Sequence, residues 1–275
     1  MSRLIFIYSL PRSGSTLLQR ELVANTEDLE TSNETWVFLA LFGNAIERNV
    51  STYSSKIACR GIEPHLENWA KATKSMFTRN GVVSFLEKTP RNYLIFDELV
   101  SMYPDDLHIV LTRDLDKVFL SMKRHFGNGS LKNFHKYHND LKFGTRIIDR
   151  ISRHPGVVSI NYEGIKTFVA TFASEHGFQP AKYRREVLLR ADGLGDPRAM
   201  LDDGVKIVAR KESCSVIEKL FLRFCYNIQL KQASTTFSVW RNLTDFFYVS
   251  RSLLIIYAKV DLLFKDGIYR GWHRD

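Results

Sequence analysis

The sequence predicts an α/β fold in which a P-loop-like parallel β-sheet is flanked by helices on both faces and followed by a mostly helical C-terminal part. Short apolar runs rich in β-branched residues alternate with longer helical patterns between residues 3 and 176, as in chains built from β-α-β units. The runs are apolar almost throughout, which is typical of strands buried on both faces of a sheet. No repeat, low-complexity tract or linker interrupts the chain, so we expect a single domain over residues 1–275.

Four strand–helix pairs are predicted in order along the chain. The strands read RLIFIYS, VVSFLEK, LHIVLTR and GVVSINY, and the helices after them cover about residues 15–24, 91–102, 115–125 and 163–176. Ligands of parallel sheets bind at the carboxyl ends of the strands. We therefore expect the functional residues in the loops that follow these strands.

A further helix is predicted near the C-terminus, where apolar residues recur at helical spacing over residues 246–264. Arg251, Lys259 and Asp261 interrupt this stretch, so it does not predict a transmembrane segment. We expect the helix to cover the core, and peripheral contact with a membrane surface is the alternative.

The chain carries a formal net charge of +9 at pH 7, which favours anionic partners such as nucleotides, acidic glycans, nucleic acid or a membrane surface. Its cysteines, Cys59, Cys214 and Cys225, are far apart and show no metal-ligand spacing. We expect no metal site, and free thiols in a reducing compartment, the cytoplasm. The apolar run from Leu4 to Leu10 is too short for a secretion signal and is interpreted as the first strand.

The segment after the first strand, SLPRSGST, resembles a phosphate-binding loop that lacks its lysine. Gly14 and Thr16 match the pattern G-x-x-x-x-G-K-[ST], whereas Ser9 and Ser15 replace its first glycine and its lysine. Free N–H groups at the start of the next helix still make an anion site, and Arg12 adds a planar donor. We therefore expect an anionic ligand that carries less charge than ATP and needs no Mg²⁺.

The same segment resembles the first loop of the sulfotransferases that use 3′-phosphoadenosine 5′-phosphosulfate (PAPS). That loop reads P-[RK]-S-G-[ST]-T, and PRSGST matches it at every position. The resemblance implies PAPS as the donor. It also implies which residues hold the 5′-phosphosulfate, namely Arg12, Ser13, Gly14, Ser15 and Thr16.

A second anion site is expected for the 3′-phosphate of this donor. Arg113 ends a predicted strand and Ser121 follows eight residues later, so the pair can supply a charge-assisted bond and a hydroxyl to one phosphate. This spacing resembles the family's 3′-phosphate signature. INYEGI resembles the family's R-Y-E-D-L stretch, which implies that Tyr162 also approaches the 3′-phosphate. Arg210 and Lys211 are further, weaker candidates for a basic contact with the nucleotide.

Transfer to an alcohol needs a base for the acceptor proton and a cation for the developing charge. Glu34, at the start of a predicted helix in SNETWVF, resembles the base of bacterial and tyrosine sulfotransferases. Lys88, in the K-T-P motif of FLEKTPRNYL, is the predicted cation, and Thr89 is predicted to cap the next helix. His125 is the alternative base, because cytosolic sulfotransferases use histidine.

The partner is expected to be a hydroxyl-bearing acceptor: a glycan, a lipid or a small-molecule alcohol. Residues 35–79 should line its pocket, with Trp36, Phe38 and Phe42 either shaping it or packing in the core. A P-loop kinase is the alternative enzyme, but it would need Lys at position 15 and an acidic Mg²⁺ ligand where Thr112 and Arg113 stand. A basic polyanion-binding or membrane-surface protein is the non-enzymatic alternative. Nucleic acid is not an expected partner, because no basic stretch is interleaved with aromatic residues.

Overall fold

The structure, a computed structural model, describes residues 2–32, 34–42, 66–89, 91–129, 131, 137, 140–182, 214, 218 and 222. The chain divides into two compact units. The first consists of Met1–Arg113 with Arg146–Ala209, and the second of Asp114–Thr145 with Arg210–Asp275. The expectation of one domain over residues 1–275 stays a prediction.

Within the described residues, the first unit contains a sheet of five parallel strands. Their bounds are β1 Leu4–Ser9, β2 Leu29–Thr31, β3 Ser84–Glu87, β4 Leu107–Thr112 and β5 Val157–Asn161. The lateral order is β2-β3-β1-β4-β5, so the connections from β1 and from β4 leave in opposite directions. Ligands of open parallel sheets bind in the crevice at such a reversal, outside the carboxyl ends of the strands.

Helices connect the strands. Their bounds are α1 Ser15–Asn25, α2 Val37–Phe42, α3 Leu66–Phe77, α4 Phe96–Met102, α5 Leu115–Gly127, α6 Thr145–Ser152 and α7 Ile165–Glu175. Short turns of other helical types cover Arg79–Gly81, Asn92–Ile95, Asp140–Gly144 and Tyr162–Gly164. No helix in the described ranges is long and apolar enough to cross a membrane.

All four predicted strands and the helices after them are present. Two of the predicted helices start later than expected. Their first residues form 3₁₀ turns, Asn92–Ile95 and Tyr162–Gly164, and the α-helices begin at Phe96 and Ile165. Strand β2 was not predicted, because a run of three residues carries no usable apolar pattern. The predicted helix over residues 246–264, and with it the mostly helical C-terminal part, lies outside the described residues.

One face of the sheet is aliphatic and is covered by α1 and α7. Ile5 and Ile7 on β1 point to this face, since alternate side chains of a strand share one side. They join Leu18 and Leu22 of α1 and Phe172 of α7 in a cluster of buried residues. Burial of this kind is worth about 1.5–3 kcal/mol for each large apolar side chain.

The other face is aromatic. Phe6 of β1 stacks on His108 of β4 with ring centroids 5.3 Å apart, and it meets Phe38 of α2 edge-on at 5.1 Å. Tyr103, at the end of α4, lies 5.5 Å from Phe6. The predicted parallel sheet with helices on both faces is therefore confirmed. Phe38 and Phe42 are fully buried, so they pack in the core and do not line an acceptor pocket.

The described part of the second unit centres on α5. Lys123 on this helix forms a buried ion pair with Glu218, and Phe126 stacks on Tyr137 with ring centroids 5.6 Å apart. Ser121 is half-buried on the same helix and His125 is exposed. Buried charges are paired in this way because an isolated charge is costly to remove from water.

Candidate active site

The β1–α1 loop (residues 10–14) follows the central strand. Arg12 and Gly14 both adopt left-handed backbone conformations, with φ of 70° and 98°. The N–H of Ser13 donates to the carbonyl of Leu10 at 3.2 Å, which closes the turn. Gly14 is the N-cap of α1 and no side chain caps the helix. The N–H groups of the first turn of α1 therefore have no acceptor within the helix.

Gly14 lies directly under the ring of Tyr162. A Cβ atom built on Gly14 would stand 2.5 Å from Cε2 of Tyr162, a distance at which real carbon atoms do not meet. Tyr162 begins the turn after β5, and the side chain of Asn161 accepts from the Gly164 N–H at 2.7 Å to hold that turn. The close approach explains why glycine stands here, in addition to the positive φ.

Arg113 joins the loop to this tyrosine. Its guanidinium lies 4.0 Å from the centre of the Tyr162 ring, a cation–π contact. Its Nη1 donates to the carbonyl of Arg12 at 3.2 Å, whereas its buried Nε has no hydrogen-bond partner among the residues that the structure describes. The structure thus brings together four of the predicted donor-binding residues: Arg12, Gly14, Arg113 and Tyr162.

The other predicted donor-binding residues lie around this cluster or in the second unit. Ser13 and Ser15 are buried in and beside the loop, and Thr16 is half-buried on the first turn of α1. Ser121 belongs to the second unit, so its pairing with Arg113 stays a prediction. Arg210 and Lys211 lie outside the described residues.

The two predicted catalytic residues form an ion pair. Lys88 Nζ lies 3.2 Å from Glu34 Oε1, and only 5% of the Lys88 side chain is exposed against 34% of that of Glu34. Burial lowers the pKa of Lys88, and the neighbouring Glu34 carboxylate opposes that shift. A desolvated ammonium beside a partly exposed carboxylate is a suitable arrangement for stabilising charge and accepting a proton.

Glu34 does not start a helix, so that expectation is wrong. Helix α2 begins at Val37, because Trp36 adopts a left-handed φ of 57°, a conformation that a bulky residue rarely takes. The Trp36 N–H donates to Thr89 Oγ1 at 3.1 Å. Glu34 therefore lies in the loop between β2 and α2, and this loop is tied to the end of β3.

Glu87 is a buried carboxylate that the sequence analysis missed. It accepts hydrogen bonds from Thr35 at 2.9 Å, from Asn92 at 3.3 Å and from Thr89. Burial raises its pKa and these hydrogen bonds oppose the shift. Thr35 follows Glu34 and Thr89 follows Lys88. Glu87 therefore fixes the positions of the two catalytic candidates relative to each other. Thr89 serves this network and not as the predicted cap, since no side chain caps the turn that follows it.

Arg20 is the second residue that the sequence analysis missed. It lies on α1, one helical turn beyond Thr16, and only 7% of it is exposed. Within the described part of the chain, its Nε has no hydrogen-bond partner. Its charge further lowers the pKa of Lys88, so the two cations are near each other. The only signal in the sequence is a charged residue within a helix that is otherwise expected to pack on the sheet.

The fold and this cluster define a parallel α/β protein with a P-loop-like turn at the point where the strand order reverses. The sequence pattern of the sulfotransferase family matches residues 4–155, more than half of the 275 residues. The chain belongs to the sulfotransferase family. The resemblance suggested by PRSGST is therefore confirmed at the level of the family, and the match also supports the prediction of an enzyme of the transferase class.

A curated relative and two solved structures are similar to the chain. The nodulation protein NoeE of Sinorhizobium fredii is 30% identical over 132 residues, which cover 44% of this chain and 31% of NoeE, so the chain spans about a third of that relative's length. The sulfotransferase STF1 of Mycobacterium tuberculosis is 14% identical with a TM-score of 0.42, over 71% of this chain and 74% of STF1. The tunicamycin resistance protein of Deinococcus radiodurans is 13% identical with a TM-score of 0.42, over 66% of this chain and 99% of that protein. The strand order establishes the fold, and neither structural match adds to it.

Proposed function

We propose that the protein is a cytoplasmic sulfotransferase that moves a sulfuryl group from PAPS to a hydroxyl of an acceptor, without a metal ion. The observation that carries this proposal is the ion pair of Lys88 and Glu34, at 3.2 Å. It occurs in a chain that has Ser15, directly after the β1–α1 loop, where a nucleoside-triphosphatase has lysine. The acceptor is a glycan, a lipid or a small-molecule alcohol.

The donor would be held at two places. Arg12, Ser13, Gly14, Ser15 and Thr16 would bind the 5′-phosphosulfate with backbone and side-chain donors. Arg113, Tyr162 and Ser121 would bind the 3′-phosphate. The residues fit such an anion, because the buried Nε of Arg113 lacks a partner and the uncapped start of α1 offers N–H groups. An unpaired buried donor is costly unless a ligand satisfies it.

Glu34 would act as the general base and Lys88 as the electrostatic stabiliser. When bound, PAPS supplies an activated sulfuryl group whose bond to the 5′-phosphate oxygen breaks as the acceptor oxygen attacks. Glu34 accepts the proton of the acceptor hydroxyl on a carboxylate oxygen, and Lys88 donates to the sulfuryl oxygens and to the phosphate oxygen that leaves. A positioned base of this kind contributes about 10²–10⁴-fold to the rate.

Trp36 would contact the acceptor. Its side chain is 46% exposed and it stands two residues after Glu34, whereas Phe38 and Phe42 are buried in the core. A large aromatic ring that is exposed beside a catalytic carboxylate can stack on an apolar part of a substrate. We therefore assign the acceptor side of the site to the segment that carries Glu34 and Trp36.

Nucleotide binding tests this function against that of a kinase. We expect adenosine 3′,5′-bisphosphate to raise the melting temperature by about 5 °C at 100 times its Kd, in buffer with EDTA. ATP with Mg²⁺ should give a much smaller shift, because Ser15 replaces the P-loop lysine that binds the outer phosphates of ATP. Adenosine 5′-monophosphate is the matched control for the 3′-phosphate. Stabilisation by ATP with Mg²⁺ and none by the bisphosphate would favour the kinase.

A further inference from the structure

Arg20 is a buried cation without an anionic partner among the described residues. Its exposed fraction is 7%, no described carboxylate forms an ion pair with it, and its Nε has no hydrogen-bond partner. Arginine is almost never buried to this extent unless it is paired, because an unpaired buried charge is costly. Arg20 therefore brings one positive charge that no described carboxylate neutralises through an ion pair.

The position of Arg20 places this charge near the residues proposed to act in the transfer. One helical turn separates it from Thr16, so the two share one face of α1. Its neighbour Gln19 donates to Thr31 Oγ1 at 2.6 Å and to the carbonyl of Ser32 at 3.0 Å. These two bonds attach this turn of α1 to the segment that leads to Glu34.

Two carboxylates lie on this side of the site, but neither forms an ion pair with Arg20. Glu34 pairs with Lys88, and Glu87 accepts its hydrogen bonds from neutral side chains. Burial lowers the pKa of Lys88, and Arg20 adds to that shift, as expected for two cations that share a poorly solvated space. An incoming oxyanion would relieve this repulsion and give the buried Nε an acceptor.

We propose that Arg20 binds an oxygen of the sulfuryl group of the donor, next to Lys88, as a further binding residue of the transfer site. This inference rests on the proposed function. Arg20 is assigned to the sulfuryl end of the donor, because the hydrogen bonds of Gln19 attach its helical turn to the segment that leads to Glu34, the partner of Lys88. It therefore distinguishes PAPS from adenosine 3′,5′-bisphosphate, which lacks the sulfuryl group.

The test compares the binding of these two nucleotides by calorimetry. For Arg20→Gln we expect PAPS to bind about 10-fold more weakly, as for the loss of one charge-assisted hydrogen bond, and the bisphosphate to bind as in the wild type. Arg153→Gln is the matched control, because Arg153 is exposed and its ion pair in the described structure is a local one with Asp149 of α6. Its affinities for both nucleotides should stay unchanged.

A second measurement uses the wild-type protein and so does not depend on the folding of a variant. The NMR signal of the Arg20 Nε–H group, assigned from its loss in Arg20→Lys, should shift when PAPS is added and stay in place with the bisphosphate. Four results would each overturn the role of Arg20. In Arg20→Gln these are equally weakened binding of both nucleotides, an unchanged affinity for PAPS, or an effect on the acceptor KM alone. In the wild type it is an Nε–H signal that PAPS does not shift. Failure of the wild type to bind either nucleotide would instead overturn the proposed function and this inference with it.

Discussion

Glu34→Gln should lower turnover at least about 10²-fold and leave PAPS affinity unchanged. Glutamine keeps the size of the side chain and its contact with Lys88, but it cannot accept the proton of the acceptor hydroxyl. In the proposed site the donor is held by the β1–α1 loop, Arg113 and Tyr162, so we expect its affinity not to depend on the charge of Glu34. Steady-state transfer rates with saturating donor, together with calorimetric Kd values, measure the two effects separately.

Glu30→Gln is the control for loss of a carboxylate on the same segment. Its side chain is 40% exposed and pairs with Arg79, so turnover should remain that of the wild type. His125→Ala addresses the alternative base, and we expect it to retain activity. If Glu34→Gln keeps near-normal turnover and His125→Ala loses most of its turnover, His125 is the base.

Gly14→Ala should weaken donor binding by about 10-fold or more. The added Cβ would stand 2.5 Å from Cε2 of Tyr162, and a φ of 98° is strained for any residue with a side chain. The β1–α1 loop or the tyrosine must move, and displacement of about 1 Å in a binding site is enough to cost about 10²-fold in rate. Calorimetry with adenosine 3′,5′-bisphosphate measures the effect on affinity directly.

Gly129→Ala is a control for alanine at a glycine with positive φ where no clash is expected. Gly129 has a φ of 83°, but a Cβ there would meet no atom within 4 Å, so it should leave donor affinity unchanged. Tyr162→Ala completes a double-mutant cycle, because the Gly14 substitution should cost less when the ring is absent. Additive losses in that cycle would contradict a direct contact between Gly14 and Tyr162 as the cause.

Much of the fold could be predicted from periodicity, because β1, β3, β4 and β5 are apolar runs that alternate with helical patterns. Strand β2 was not predicted, because its three residues at the edge of the sheet, LET, show neither alternation nor an apolar run. The start of α2 was misplaced because the left-handed backbone of Trp36 leaves no trace in a sequence. Phe38 and Phe42 could equally have lined a pocket, and only the packing around them decides that they belong to the core.

Local motifs predict part of the candidate site, and the roles of its residues stay predictions. PRSGST and the strand-end residues Lys88 and Arg113 follow patterns of the family, and the structure brings Arg113 to the β1–α1 loop and Lys88 to Glu34. Glu87 and Arg20 were not predicted, because both are recognised by their burial and their hydrogen bonds. Glu87 accepts from residues on two segments, and the Nε of Arg20 has no partner among the described residues. Such contacts join residues that are distant in sequence. The pairing of Arg113 with Ser121 stays a prediction.

The decisive assay follows radiolabelled sulfuryl from PAPS to a panel of saccharide, lipid and small-molecule alcohols in buffer with EDTA. We predict a labelled sulfate ester of at least one acceptor, with one equivalent of adenosine 3′,5′-bisphosphate released and the product lost in Glu34→Gln. Phosphoryl transfer from labelled ATP to the same panel in a parallel assay with Mg²⁺ and no EDTA, together with no transfer from PAPS, would rule out a sulfotransferase of this kind.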